Sequence, residues 1–322
     1  MRFCCGSSLT TNLYAIFEAG KFRKTPTTED ITESIRWARS TGFEAIEFSV
    51  LTKEQLDSTF NKEGLESISR ASKLNDVRIP HVSFPFVSGI FPSQSNLKEL
   101  RRLLPICAEL TSGVGADIFQ IHSPPVPGTE SAWDVAYPGG PARKISFHWG
   151  GDWNKTWELY VQWIGEMCDT CRDRGLKLAI EARPREIISN TDVMLSLLKD
   201  VRASNLGVIF DTGHHFIMRE ILPISIWKLD SFLYSVQLSD NDGIVEYQWA
   251  PGEGKIDWKA LVEALESVNY RGYLVIEASG LRQQLSDFVR ARHMIESLLG
   301  KTSEAVESRE EIVQHEAIFE ND

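Results

Sequence analysis

Residues 206–214 read LGVIFDTGH, an apolar run that ends in an aspartate and continues directly into a Thr-Gly-His turn. The run is continuous rather than alternating, which is typical of a strand buried on both faces of a parallel sheet. Seven further runs of this kind alternate with helical patterns along the chain. They are residues 2–8, 45–50, 78–84, 117–123, 177–182, 234–240 and 273–279. Eight strands separated by helices predict an α/β fold, a (β/α)8 TIM barrel, with an open doubly wound sheet as the alternative.

The composition narrows the possible partners. The chain has 322 residues and carries 34 basic against 45 acidic residues, a net charge of −11. This excess of acid argues against nucleic-acid binding, which needs clustered Lys and Arg. No apolar run approaches the roughly 18 residues that span a bilayer, and the first residues lack the apolar segment of a signal peptide. We therefore expect no membrane contact and a cytoplasmic location.

Two segments lie outside the βα alternation. Residues 124–152 are rich in Pro and Gly and far exceed the usual connection of about 2 to 6 residues. Because they follow the fourth predicted strand, they are expected to form a lid or an aromatic substrate surface, or else a simple surface excursion. Residues 301–322 form an acidic C-terminal tail. The predicted organisation is a barrel over residues 1–300, with the insertion at 124–152, followed by the tail.

The five cysteines form an odd number in a long chain, so reduced thiols are the simplest interpretation. Cys168 and Cys171 form a CxxC pair, but they fall within a helical pattern rather than at a strand-to-helix turn. Ordinary helix positions are expected for both.

Polar residues occupy the ends of four successive predicted strands, where a barrel places its catalytic groups. They are Glu181, Asp211, Gln237 and Glu277. Acidic side chains within apolar runs are costly to bury unless they are paired or bound to a metal. Three carboxylates converging at one end of a barrel would repel one another, and a divalent cation would relieve that repulsion. Isolated ion pairs at the strand ends are the alternative.

The segments IEARP, FDTGH, VQLSDND, PGEGKIDW and VIEAS resemble those of the xylose isomerase-like barrels grouped as sugar phosphate isomerases and epimerases. The AP endonucleases of family 2 share this fold group. The resemblance covers about residues 1–298. Its endonuclease branch needs a three-zinc cluster with many histidines, and the sequence has none between His215 and His293, so DNA cleavage is not expected.

The resemblance implies one divalent ion held by Glu181, Asp211, position 237 and Glu277. The usual ligand at position 237 is a histidine, whereas this chain has Gln237. The resemblance implies Mn²⁺, Mg²⁺ or Co²⁺ as the ion. An amide oxygen is a harder and weaker donor than imidazole, which favours Mn²⁺ or Mg²⁺ over Zn²⁺, so Mn²⁺ is expected. A barrel that has lost its metal and serves as a non-catalytic subunit is a further alternative.

Substrate-binding residues are expected around this centre. The candidates are His81, His122, Arg183, His214, Gln248 and Trp149. Arg183, with Arg185, could hold a phosphate or carboxylate. Gln248 stands where relatives often have His or Arg, and Trp149, with His148, could stack on a sugar.

In similar enzymes one glutamate removes a proton from the carbon next to a carbonyl, and the opposite one returns it through a metal-stabilised enediolate. Glu181 and Glu277 take these catalytic roles, which predicts an isomerase or epimerase acting on a keto sugar or related polyol. The same intermediate can expel a leaving group, so a dehydratase or lyase, such as the large subunit of a C-glycoside deglycosidase, is the alternative. The expected partner is a small sugar, and a homo-oligomer or a small partner subunit is compatible with the sequence.

Overall fold

The computed structural model describes residues 1–6, 17–18, 21–22, 25–128, 148, 150–278 and 284–300. Nine parallel strand segments form one sheet. They are β1 (Arg2–Cys5), β2 (Ala45–Ile46), β3 (Phe48–Ser49), β4 (His81–Ser83), β5 (Ile118–His122), β6 (Lys177–Glu181), β7 (Leu206–Asp211), β8 (Leu233–Leu238) and β9 (Tyr273–Ile276). A separate antiparallel hairpin pairs Phe17–Glu18 with Lys21–Phe22.

The sheet closes into a barrel at residues 45–49. The two end strands of the sheet are β2 and β3, which are consecutive pieces of one stretch of chain. β2 pairs with β1, β3 pairs with β4, and Ala45 also bridges to Arg78 just before β4. The nine segments therefore fill eight positions, because the second predicted strand is interrupted at Glu47. This confirms the predicted (β/α)8 barrel and excludes the open sheet.

Helices cover the outside of the barrel. They are α1 (Thr28–Ser40), α2 (Lys62–Asn75), α3 (Pro85–Ser88), α4 (Leu97–Gly113), α5 (Trp153–Arg172), α6 (Thr191–Val201), α7 (Thr212–Ile217), α8 (Leu222–Leu229), α9 (Trp258–Ser267) and α10 (Leu285–Leu298). Polar caps start several of them: the side chain of Asn190 accepts from Val193 N at 3.0 Å, and Asp257 accepts from Ala260 N at 3.0 Å. Such caps satisfy amide donors that the first helical turn leaves unpaired.

The cysteines behave as the sequence predicts. All five are free and buried, and Cys168 and Cys171 lie within α5. In the part of the chain that the structure describes, no helix has both the length and the apolar character needed to cross a bilayer.

Strand alternation decides which side chains face the barrel axis. One apolar cluster, formed by strand and helix residues, packs between the sheet and the helices. Two small apolar clusters are separate from it and belong to the opposite, inward face of the strands. They comprise Cys4, Ala45 and Val275, and Ile118, Ala179 and Ile209. These residues fill the barrel interior. The next inward position along each of these strands, towards its carboxyl end, is polar except for Gly6 in β1's continuation.

Candidate active site

A layer of polar side chains lies two residues beyond the inward apolar layer, on the same face of each strand. Its members are Glu47, Gln120, Glu181, Asp211, Gln237 and Glu277. The alternation that places Ala179 inside the barrel therefore also places Glu181 inside it. Since the strands are parallel, all these side chains lie at one end of the barrel. Four of them, Glu181, Asp211, Gln237 and Glu277, are the strand-end residues singled out in the sequence.

Glu181 lies between two imidazole rings. Its Oε1 lies 3.0 Å from Nε2 of His214, its Oε2 lies 3.1 Å from Nδ1 of His122, and Gln120 donates to Oε2 at 2.9 Å. Burial raises the pKa of the Glu181 carboxyl, but His122 and His214 more than offset this and hold that pKa well below its usual range. Glu181 is therefore an ionised carboxylate inside the barrel.

Asp211 ends β7 and caps α7. Its Oδ1 accepts from the backbone N–H of His214 at 2.9 Å and from the hydroxyl of Ser239 at 2.9 Å. This cap starts the helix immediately and turns the His214 side chain back towards the strand end. Gly213 allows the tight turn, because a Cβ there would lie 2.2 Å from Oγ of Ser239. The FDTGH segment thus builds a fixed carboxylate and a fixed imidazole.

The ligand atoms at this site lie close enough together to hold one cation. Glu181, Asp211 and His214 are all buried, and each offers one ligand atom within 4.8 Å of the others. Oδ2 of Asp211 is buried and has no hydrogen-bond partner among the described residues. Buried carboxylate oxygens normally find a partner, so an orphaned one next to two more ligands fits a divalent cation. The donor set of two carboxylates and an imidazole suits Mn²⁺, Co²⁺ or Zn²⁺.

Glu246 is the second glutamate that contacts the imidazole ring of His214, after Glu181. It lies in the loop between β8 and α9, is 8% exposed, and forms an ion pair through Oε1 with Nδ1 of His214. Burial lowers the pKa of the His214 imidazole, but Asp211 and Glu246 more than reverse this and raise it well above its usual value. Both ring nitrogens of His214 therefore face carboxylates.

Gln237 and Glu277 lie next to a different acid, Glu47. The amide nitrogen of Gln237 donates to the two oxygens of Glu47 at 3.1 and 3.3 Å. Glu277 also forms a hydrogen bond with Glu47, while its own Oε2 is buried without a partner among the described residues. Loss of solvent and the neighbouring Glu47 raise the pKa of Glu277 well above its usual value. The surroundings of Glu277 thus favour its protonated form, in contrast to those of Glu181.

His81 links the residues around Glu181 with the residues around Glu47. Its Nδ1 lies 2.8 Å from Oε2 of Glu47 and 2.8 Å from Oε1 of Gln120, and its Nε2 lies 3.2 Å from the hydroxyl of Ser235. The side chain is 0% exposed. Gln120 in turn donates to Glu181. The imidazole ring of His81 therefore fixes the relative positions of the strands that carry the site.

Arg183 and Glu186 lie beside Glu181. Nη1 of Arg183 is 4.0 Å from Oε1 of Glu186, and both residues are buried. Burial raises the pKa of the Glu186 carboxyl to about 8, although Arg183 opposes the shift. Burial lowers the pKa of Arg183, and the surrounding carboxylates more than offset this, so the guanidinium stays charged. Arg183 is thus placed near the metal-ligand group, where the sequence predicts a substrate contact.

The other predicted substrate-binding residues that the structure describes lie in loops. Gln248 is 9% exposed with a φ of 49°, in the loop that also carries Glu246. Arg185 also has a positive φ, 69°. His148 is exposed, and its backbone N donates to Gly128 O at 3.1 Å, which joins the two ends of the insertion. Trp149 and residues 129–147 lie outside the described part of the chain, as does the tail 301–322, so their predicted roles stay predictions.

Sequence reasoning overlooked three acids at this site. Glu47 carries the same signal as Glu181, an acid within the apolar run AIEFSV, and could have been found by it. Glu186 follows Glu181 closely but lies in a polar turn. Glu246 comes from a long loop with no periodic pattern, so nothing in the sequence marks it.

Known proteins resemble this chain in sequence. The family model described as xylose isomerase-like TIM barrel matches residues 35–298. A fructoselysine 3-epimerase from Escherichia coli O157:H7 is 25% identical over 127 residues, which are 38% of this chain and 46% of that protein. An inosose dehydratase from Histophilus somni is 20% identical over 167 residues, 45% of this chain and 56% of that protein. The chain thus spans about half the length of these curated relatives.

A solved structure shares the fold over nearly the whole chain. The IolI protein, crystallised with a bound zinc atom, superposes with a TM-score of 0.68 at 14% identity. The match covers 95% of this chain and 100% of that one.

Proposed function

Because the chain belongs to the xylose isomerase-like TIM barrel family, we propose that it is a divalent-metal-dependent isomerase or epimerase acting on a keto sugar or related polyol. The observation that carries the proposal is a pair of buried glutamates whose surroundings shift their pKa values in opposite directions. His122 and His214 hold the pKa of Glu181 well below its usual range, whereas desolvation and Glu47 raise the pKa of Glu277. Two carboxyl groups whose environments push their pKa values apart are suited to act as base and acid.

A divalent ion at this site would supply charge stabilisation to the carbonyl and hydroxyl oxygens of a bound sugar. Glu181, Asp211 and His214 are within reach of such an ion. Gln237 and Glu277, the other two ligands predicted from the sequence, lie beside Glu47. Mn²⁺ is the proposed ion, with Mg²⁺ or Co²⁺ as alternatives.

The protein's own residues then move the proton. In one direction of reaction, Glu181 accepts the proton from the carbon next to the carbonyl. Glu277 donates a proton to the opposite face of the same carbon, which inverts it. If the proton is delivered to the former carbonyl carbon instead, and the hydroxyl proton passes from one oxygen to the other, the carbonyl moves and the sugar is isomerised. The roles exchange in the reverse direction. Arg183 and His122 line the same space and are proposed to bind substrate oxygens, while the barrel interior excludes water below them.

A lyase is the second candidate, because an inosose dehydratase is among the relatives. After the same proton abstraction, a protonated acid such as Glu277 could assist departure of a hydroxyl group from the neighbouring carbon. Isomerisation keeps the composition of the sugar, whereas dehydration removes water.

The test is incubation of the protein with Mn²⁺ and a panel of keto sugars in D₂O, followed by NMR. We expect loss of one C–H signal together with formation of a new sugar of unchanged composition. After the metal is removed by a chelator, neither the exchange nor the new sugar should be seen. A product that has lost water would establish the lyase instead. Absence of exchange for every sugar tested would support a non-catalytic subunit and overturn the proposal. A cytoplasmic location and a homo-oligomer or small partner subunit remain part of the proposal.

A further inference from the structure

The side chain at position 237 carries no imidazole, and its amide nitrogen donates to a neighbouring acid. Gln237 donates through Nε2 to both oxygens of Glu47. Glu47 is itself 2% exposed and also lies 2.8 Å from His81. These contacts hold Gln237 towards β2, whereas the described ligand atoms gather between β6 and β7.

We propose that His214 supplies the nitrogen ligand of the metal centre, together with Glu181 and Asp211, and that Glu246 orients this imidazole from behind. The proposal deepens the metal-dependent function above and rests on it only for the presence of a metal. It replaces the substrate-binding role expected for His214 from the sequence.

Three observations support this assignment. Nε2 of His214 lies 3.0 Å from Oε1 of Glu181, within the group whose ligand atoms are at most 4.8 Å apart. The orphaned Oδ2 of Asp211 belongs to the residue that caps the same helix turn. With Oδ1 of Asp211 fixed by the backbone N–H of His214, one strand-to-helix turn presents two ligands with little freedom to move apart.

Glu246 supplies the outer contact that ligating histidines usually have. Metal-bound histidines donate their other ring N–H to a carboxylate or carbonyl, which fixes the ring and the tautomer. Glu246 forms this contact with Nδ1 of His214, so Nε2 is left to face Glu181 and the cation. Removal of such outer partners typically weakens metal binding about 10- to 100-fold.

The competing interpretation is a metal-free ion-pair network, in which His214 carries protons on both nitrogens between Glu181 and Glu246. A second nitrogen, Nδ1 of His122, also lies near Glu181 at 3.1 Å. A test must therefore identify both the presence of a nitrogen ligand and its source.

The experiment is electron spin-echo modulation spectroscopy of the full chain loaded with Mn²⁺, which detects ¹⁴N bonded to the ion. We expect imidazole nitrogen modulation in the wild type, its loss in His214→Gln, and its retention in His122→Gln. Glu246→Gln should keep the modulation while weakening Mn²⁺ binding about 10- to 100-fold. If His214→Gln does not fold, the wild type, His122→Gln and Glu246→Gln together still decide.

Bound Mn²⁺ without nitrogen modulation, modulation lost only in His122→Gln, or no Mn²⁺ bound at about 1 mM would overturn the assignment. Its failure differs from failure of the proposed function. Metal-dependent C–H exchange without a nitrogen ligand would refute only the role of His214. A nitrogen-ligated ion without exchange for any sugar would refute only the isomerase.

Discussion

Glu277 shares a hydrogen bond with the buried carboxyl group of Glu47 at the carboxyl end of the barrel. Loss of solvent and the neighbouring acid Glu47 together raise the pKa of Glu277 well above its usual value, which favours the protonated form. In the proposed mechanism the protonated form is the active one. The rate should therefore fall as the pH rises through the pKa of Glu277.

Glu47→Gln removes the neighbouring acid and should lower the pKa of Glu277. The basic limb of the rate profile, measured as epimer formation against pH, is expected to move to lower pH. Glu44→Gln is the matched control, since Glu44 precedes the same strand and is exposed. It should leave the limb where it is. A limb that moves to higher pH, or does not move in Glu47→Gln, would contradict the assignment of Glu277 as the acid.

Glu277→Gln keeps the shape of the side chain but removes the proton that is delivered to the product. Deuterium incorporation into the epimerised sugar should fall by about 10² to 10⁴, the range typical of general acid–base catalysis. The measurement is NMR of the product formed in D₂O. Mn²⁺ affinity, measured in parallel, shows whether the loss reflects proton transfer or metal binding. Near-normal deuterium incorporation would remove Glu277 from the catalytic pair.

Gly6 lets the end of β1 approach Glu277. A Cβ at this position would lie 2.2 Å from Oε2 of Glu277 and 2.6 Å from the carbonyl oxygen of Ile276. Gly6→Ala should therefore displace Glu277 and lower both the C–H exchange rate and the melting temperature. The control is Gly165→Ala in α5, where an added Cβ meets nothing within 4 Å. That substitution should stabilise the fold by roughly 0.5–1 kcal/mol with unchanged activity. Equal effects of the two variants would be inconsistent with the described contact.

Glu220 should contribute to stability in acid. It accepts hydrogen bonds from the side chains of Thr191 and Ser225 and lies 3.0 Å from Nδ1 of His215. Burial raises the pKa of Glu220, but His215 and the hydroxyl donors outweigh it and lower that pKa to about 2. The stabilisation is therefore complete above the ordinary pKa of about 4.5 and is lost as the pH falls towards about 2.

Glu220→Gln should destabilise the protein by roughly 1–2 kcal/mol at pH 7, after allowance for solvent screening. The difference from wild type in urea denaturation should shrink as the pH falls from about 4.5 to about 2. Glu99, whose pKa is also lowered to about 2 by hydrogen bonds from Arg102 and Lys53, is exposed. Glu99→Gln should therefore have little effect. A constant difference for Glu220→Gln over the whole pH range would show that its ionisation is not the cause.

The sequence was sufficient to predict the barrel, because continuous apolar strands between helices require a parallel sheet covered on its outer face. It also pointed to Glu181, Asp211 and Glu277, since acids at the ends of apolar strands are costly without a partner. Strand register could not be predicted. Glu181 pairs with Ile209, whereas Gln237 pairs with Asp211. This stagger is fixed only when the barrel closes, and it helps determine which strand ends meet.

The same limit applies to Glu246 and Glu47. Glu246 reaches His214 from a loop whose path is set by tertiary contacts, including the pairing of Asp240 with Trp249. Glu47 itself is marked in the sequence as an acid within the apolar run AIEFSV, but its partner is not. Its contact with Glu277 joins positions far apart in the chain, which no local pattern encodes.

The central claim is that Glu181, Asp211 and His214 enclose a divalent cation at the carboxyl end of the barrel. The most direct measurement is an anomalous difference map from a crystal of the full chain grown with Mn²⁺. We expect one strong peak within coordination distance of all three side chains, and its loss in Asp211→Asn. A map without a peak there, or a peak bound only by surface carboxylates, would contradict the claim.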